Sequence, residues 1–391
     1  MRNKYSLLFG VVLIVAFFVF VVFYLLETTE KTPAVSRQWS VGSLLSDNTS
    51  AKGYAQADKF REFRFPADHG PHSNFKHEWW YFTGNLFAKN GRRFGYQLTV
   101  FRNAISPMPI KNPSEWRTRQ IYMAHFALTD IQNKRFHDFE RFDRAALGLS
   151  GAIAQPFKVW LDTWMVKSEG VDTFPVRLSA VQDDIAVNLS LSRVKPIVLQ
   201  GDRGLSQKGE GLGNASYYYS ITRMPSIGTV KLGNQTFDVS GLSWMDREWG
   251  SGGLGKNVVG WDWFSLQFDD DRELMLYRLR NKDGKTNPFN YGTLVTANGS
   301  VHKLGVEDVK IVVEDTWESP ATHIIYPARW RIMIPSEHIS VQVVPYIHDQ
   351  ELKLSVRYWE GAVSVTGKSL DSKITGSGYV ELTGYDESGI N

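Results

Sequence analysis

The chain has 391 residues, 42% of them apolar and 22% charged, with a formal net charge of +3 and no cysteine. That balance excludes wholesale disorder, and the near-neutral charge excludes a surface built to neutralise nucleic-acid phosphates. The missing cysteines exclude a disulfide scaffold, a thiolate metal site, a thiol nucleophile and a lipidated N-terminal Cys.

Residues 7–26 form a run of 26 − 7 + 1 = 20 residues without a charge, preceded by Arg2 and Lys4 and followed by Glu27 and Glu30. A bilayer core needs about 20 helical residues, and positive residues stay inside. A cleaved signal would carry a shorter apolar stretch and a small-x-small site, whereas Tyr24-Leu25-Leu26-Glu27 offers neither. The expectation is a short cytoplasmic N-terminus (1–6) and an uncleaved transmembrane anchor (7–26). The bulk of the chain then faces the periplasm or exterior from the inner membrane. Residues 27–59 are polar and read as a linker.

Beyond the linker, period-two alternation dominates. Tyr96, Leu98 and Val100 alternate with polar neighbours, as do Ile185 to Leu191, Trp330 to Ile334, and Leu352 to Tyr358. Each is the signature of a strand with one buried face. Only residues 135–149 leave room for a short helix. Five glycines between Gly201 and Gly213 mark a long loop or hairpin tip. Trp80-Tyr81-Phe82 and Trp261-Asp262-Trp263-Phe264 each lead into a hairpin, an echo that two similar β domains would produce. The expected fold is all-β, divided into domains at 60–235 and 236–391. Thirteen Trp, 16 Tyr and 23 Phe suit either a large β core or an apolar cavity.

The usual catalytic motifs are missing. There is no G-x-S-x-G elbow, Gly367-Lys368-Ser369 lacks the first glycine of a P-loop, and no glycine cluster opens a helix. No cofactor is therefore expected. His69, His72 and His77 are close in sequence, but Gly70-Pro71 breaks any helix that would converge them, and no metal is expected.

Two constellations remain. His77-Glu78-Trp79-Trp80-Tyr81-Phe82 runs charge directly into four aromatic rings. A strand distributes these side chains alternately over two faces, giving either a core plus an interface or a ligand cavity. Trp244-Met245-Asp246-Arg247-Glu248-Trp249-Gly250 sets three charges between two tryptophans. Such charges must pair or shift their pKa values. The two readings are a structural Arg247–carboxylate pair and an acid kept protonated for proton donation.

These segments, with Asp68-His69-Gly70-Pro71-His72, resemble the AttH/CrtC family of carotenoid 1,2-hydratases and exported "predicted secreted hydrolases". The resemblance spans roughly residues 60 to 391 and implies two lipocalin-like antiparallel β-barrel or sandwich domains packed together. It also implies an apolar ligand. The hydratase members add water to an isolated trisubstituted alkene, protonating it to a tertiary cation. Asp246 falls on the aspartate of their Asp-His-Asn-Trp-Gly stretch, and Trp249 and Gly250 on its end. Arg247 and Glu248 replace the His and the Asn.

The expected function is binding of a lipid or isoprenoid by a membrane-anchored, exported protein, in service of an export or lipid-handling membrane complex. The alternative is a hydro-lyase that hydrates an apolar alkene by acid catalysis. Asp246 and Glu248 are the candidate catalytic residues. His77, Glu78, Trp79, Trp80, Tyr81, Arg247, Trp249, Trp261 and Trp263 are the candidate ligand-binding residues.

Overall fold

The computed structural model describes residues 51–108, 114, 116–255 and 257–386, together with the backbone of the two-residue strand Trp39–Ser40. The apolar run 7–26 and most of the polar linker lie outside the described residues. No helix among the described residues is long and apolar enough to cross a membrane.

Among the described residues the fold is all-β, in two antiparallel sheets of 13 and 11 strands, the second including Trp39–Ser40, which pairs in parallel with Val356–Ser369. The sheets share one wiring. In the first, four hairpin-linked strands run outward from His77–Ala88 through Arg93–Ala104 and Gln120–Asp130 to Arg135–Arg144. The chain then crosses to the far edge at Ser150–Ala154 and steps back until Gln235–Gly250 pairs with His77–Ala88. In the second, Val258–Phe268 starts the outward meander, the chain crosses to Lys310–Glu318, and Ser372–Leu382 returns to pair with Val258–Phe268. The aromatic echo therefore marks the opening strand of each sheet.

Three expectations are corrected. Residues 135–144 are a strand, because Phe136, Asp138 and Glu140 face one side and Phe139 packs into the core on the other. Leu352 and Tyr358 do not share one strand. The chain turns at Leu354-Ser355 and sets them opposite each other across a hairpin. The expected boundary at 235/236 falls just inside the strand Gln235–Gly250, which pairs with Ala215–Leu232 in the first sheet, and the chain changes sheet only between Gly250 and Val258.

Alternation then gives each sheet two apolar faces. Phe82, Leu98, Phe126, Leu178, Val187 and Met245 meet inside the first sheet. Phe264, Leu276, Trp330, Val341, Val363 and Val380 meet inside the second. Burial of each such side chain contributes about 1.5–3 kcal/mol. The opposite faces, carrying Tyr81, Tyr218 and Trp244 from one sheet and Trp263, Tyr277 and Tyr358 from the other, pack together as a third apolar layer. Close approach is possible at Gly95, where an added Cβ would stand 2.6 Å from the Ala362 methyl and the Tyr379 hydroxyl of the second sheet.

Candidate active site between the sheets

A predominantly apolar cavity lies in this third layer, not inside either sheet's own core, where a lipocalin-like ligand was expected. It encloses about 830 Å3 of non-atom space, part of it open to solvent. The strand pleat decides which candidates reach it. On His77–Ala88 the odd positions His77, Trp79 and Tyr81 line it. On Gln235–Gly250 the even positions Asp246 and Glu248 do, and Trp261 and Trp263 close it from the second sheet.

Glu78, Trp80, Arg247 and Trp249 point the other way and are not in the cavity. Their register is regular: Arg247 stands opposite Trp80, and Trp249 opposite Glu78. Arg247 and Arg102 both donate to the fully buried Glu78, whose oxygens also accept from the backbone N–H of His72 at 3.0–3.1 Å. The two guanidinium groups outweigh burial and hold the Glu78 carboxyl well below the usual carboxylate range. The Arg247 guanidinium lies 4.0 Å from the Trp80 ring centroid, and Trp249 stacks on His72 at 3.8 Å. Arg247 also donates to the carbonyl of Gly70 at 2.7 Å. This cluster ties residues 68–72 to three strands. Arg247 thus serves a structural carboxylate pair, and it does not touch Asp246.

The three histidines do not converge. His69 Nδ1 bonds the Tyr219 hydroxyl at 2.6 Å, and His72 joins Asp68 at 3.0 Å. His77 faces the cavity, where burial and nearby Lys and Arg charges push its pKa down to about 3, leaving a neutral ring. Among the described residues no group of three or more His, Asp or Glu is placed to hold a metal.

Asp246 is the centre of the cavity's chemistry. Its Oδ1 accepts from the Ser220 hydroxyl and from Trp244 Nε1 at 2.8 Å, and its Oδ2 from the Tyr218 hydroxyl at 2.6 Å. Trp263 Nε1 in turn donates to the Tyr218 oxygen at 3.1 Å. Burial nevertheless dominates these bonds and pushes the Asp246 pKa up to about 7. Oδ2, with a single bond, retains capacity to carry a proton. Glu248 accepts from Ser216 and is ion-paired with Lys208 at 2.7 Å. The Lys208 ammonium also sits 4.3 Å from the Tyr277 ring centroid.

From the second sheet, sequence reasoning named Trp261 and Trp263 but missed the acids. Glu381 accepts from Trp261 Nε1 at 3.0 Å, and burial among other carboxylates raises its pKa to about 7 as well. Glu360 is its neighbour across the strand pair. The Tyr81 hydroxyl donates to Glu360 Oε1, while Oε2 is buried without a partner. Burial first, and the Glu381 charge second, drive the Glu360 pKa well above the usual range. Lys208, Tyr218, Tyr358 and Glu381 lie outside both motifs in sequence, and no local pattern marks them as a group. Acids with raised pKa values beside a polarised aromatic wall are what proton transfer to an apolar substrate requires.

Several known proteins resemble this chain in structure or in sequence. A putative AttH of known structure from Nitrosomonas europaea is 33% identical, covers 85% of this chain and 99% of its own, and superposes with a TM-score of 0.76. The structure of kievitone hydratase from Nectria haematococca shares the fold at 16% identity, with coverage of 85% and 98% and a TM-score of 0.66. Among curated sequences, kievitone hydratase of Fusarium solani subsp. phaseoli is 22% identical over 214 residues, 53% of this chain and 59% of that protein. The dehydratase asqC of Emericella nidulans is 21% identical over 226 residues, with coverage of 53% and 60%. The chain thus spans only about three fifths of the curated relatives it matches. The AttH-like family itself matches residues 56–385, which takes in both sheets and every cavity residue named above, and the chain belongs to that family.

Proposed function

We propose that the chain is a hydro-lyase, adding water to or removing it from a compact apolar substrate held between the two sheets. The observation that carries this reading is Asp246, an acid half-protonated near pH 7 and walled by aromatic rings. A pure carrier has no use for such a group, which burial destabilises in its charged form. The hydratase and dehydratase named among the relatives point the same way.

In hydration, the neutral Asp246 carboxyl gives its proton to one alkene carbon. The cation forms on the more substituted carbon and is shielded by the faces of Trp79, Tyr81 and Trp263, a contact worth about 0.5–2 kcal/mol per ring. Glu248, fixed by Lys208, accepts a hydrogen bond from the incoming water and orients it. Dehydration uses the same groups in reverse. The aromatic lining suits an apolar molecule with a trisubstituted alkene or a tertiary alcohol.

Each sheet is, on this reading, a lipocalin-like barrel whose interior is filled and whose outer wall has become the binding surface. The apolar run 7–26 behind Arg2 and Lys4 supports an exported, membrane-anchored enzyme that draws its apolar substrate from the lipid phase.

The test is incubation of the full chain with ortho-prenylphenol in water enriched in heavy oxygen. A tertiary alcohol carrying the label is the expected product. Tight binding with no labelled product, on either side of about pH 7, refutes the hydro-lyase and restores the carrier.

A further inference from the structure

Hydration releases a second proton that Asp246 does not handle. The incoming water must lose one of its own protons once it has bonded to the cation. The geometry points to Tyr358, His125 and Glu140 as the path by which that proton leaves the cavity, with Tyr358 as the catalytic group and the other two as positioning residues. This inference rests on the hydro-lyase reading.

Tyr358 lines the cavity. Its hydroxyl stands 2.8 Å from His125 Nδ1, and His125 Nε2 stands 3.1 Å from Glu140 Oε1. His125 is fully buried, while the Glu140 side chain is 15% exposed. The line therefore runs from the cavity, through a buried imidazole, to solvent. It also crosses from the second sheet to the first, since Tyr358 lies on Val356–Ser369 and His125 on Gln120–Asp130.

The hydrogens can be assigned from chemistry. Bonds from His125 and Ser355 outweigh burial and hold the Glu140 carboxyl below its ordinary range, so it accepts. His125 Nε2 must then carry the hydrogen. In the neutral ring Nδ1 is left as an acceptor, and Tyr358 is the donor. The Gln97 amide donates to the Tyr358 oxygen at 3.2 Å and steadies it. Burial and the charge of Glu360 raise the pKa of the Tyr358 hydroxyl well above 10.0. It therefore passes a proton on rather than resting as a phenolate.

The step balances. As the water oxygen bonds to carbon, its proton moves to the Tyr358 oxygen and the original Tyr358 proton moves to His125 Nδ1. The Nε2 proton passes to Glu140 and from there to solvent. Asp246 has given one proton to carbon, one has left through Glu140, and solvent restores the first. In dehydration the same line delivers a proton to the departing hydroxyl.

Two measurements on the full chain decide the matter. The first is nitrogen NMR of the His125 ring, which should show a neutral Nε2–H tautomer whose Nδ1 signal moves in Tyr358→Phe. A neutral Nδ1–H tautomer overturns the path whether or not a substrate is known. The second is turnover of ortho-prenylphenol by Tyr358→Phe, His125→Gln and Glu140→Gln. Loss of a proton-transfer group lowers kcat by about 100-fold or more with KM nearly unchanged. We expect that pattern for the first two, and partial rescue of Glu140→Gln by Glu140→Asp. If the contacts only hold the sheets together, the melting temperature falls while the kcat of folded protein stays, and the inference fails. A wild-type chain that yields no labelled alcohol refutes the hydro-lyase and with it the catalytic use of this path. The tautomer would then report only a hydrogen-bonded chain.

Discussion

Asp246→Asn separates the proton chemistry from the stability of the fold. The Asn side chain has the same shape and can still accept from Ser220 and Trp244, while its amide can donate to the Tyr218 oxygen. What it removes is the cost of ionising a buried acid. The rise of the Asp246 pKa from 3.8 to about 7, at about 1.4 kcal/mol per pH unit, corresponds to about 4 kcal/mol. Below about pH 4 both folded and unfolded chains hold this proton, so no penalty exists. Between about 4 and 7 the unfolded chain releases it first, so stability falls as pH rises. Above about 7 the penalty is complete. Asp246→Asn should therefore match the wild type near pH 4 and exceed it by up to about 4 kcal/mol near pH 8, less about 1 kcal/mol for imperfect hydrogen bonds. Glu381, raised in the same sense, leaves the variant with a residual fall over the same window. Turnover should drop by about 100-fold or more, because the donated proton is gone. Urea unfolding at the two pH values and the labelled-water assay read both effects. An equal loss of stability at both pH values would refute the argument, as would a carboxyl carbon signal from Asp246 that titrates near 4.

Other outcomes follow from the same geometry. Hydration by the wild type should decline as pH rises through about 7, where Asp246 loses the proton it donates, and a flat profile counts against it as the acid. Glu78→Gln strands two buried guanidinium groups, so thermal or urea unfolding should show a loss of about 3–5 kcal/mol while kcat of the folded fraction is retained. Lys195→Met should cost about 3 kcal/mol or more, because Lys195 joins Glu273, at 2.9 Å, and the Thr296 carbonyl, at 3.0 Å, across the two sheets. Trp263→Phe keeps the wall but removes the donor to Tyr218, and a loss of about 1 kcal/mol in kcat/KM is expected, measured by initial rates.

The two motifs show how far one sequence can be read. Alternation alone announced that His77 and Glu78 leave the strand on opposite faces, that the chain beyond residue 60 is all-β, and that an aromatic strand opens each half. The family was legible from the same residues, since His77 to Leu86 and Asp246 to Gly250 are local patterns. The strand at 135–144 escaped because charges on both faces mask its period, which only packing against Gln120–Asp130 resolves.

Which face of a strand meets a ligand is a different kind of question. Local periodicity states that two faces exist, and both here are apolar. Only the docking of one sheet on the other made the Tyr81 face a cavity and the Trp80 face a core. The same docking brought Tyr358 and Glu381 to the cavity that Asp246, Tyr218 and Lys208 line from the first sheet. Arg247 illustrates the point most sharply. In sequence it is the neighbour of Asp246, yet the pleat sends it through the sheet to Glu78, and burial, not an adjacent cation, sets the acid's pKa. The chain's own alphabet determined strands, wiring signals and family. Contacts distant in sequence, 28 positions for Tyr218–Asp246 and 279 for Tyr81–Glu360, decided the cavity, because desolvation and pairing are properties of what surrounds a group in space.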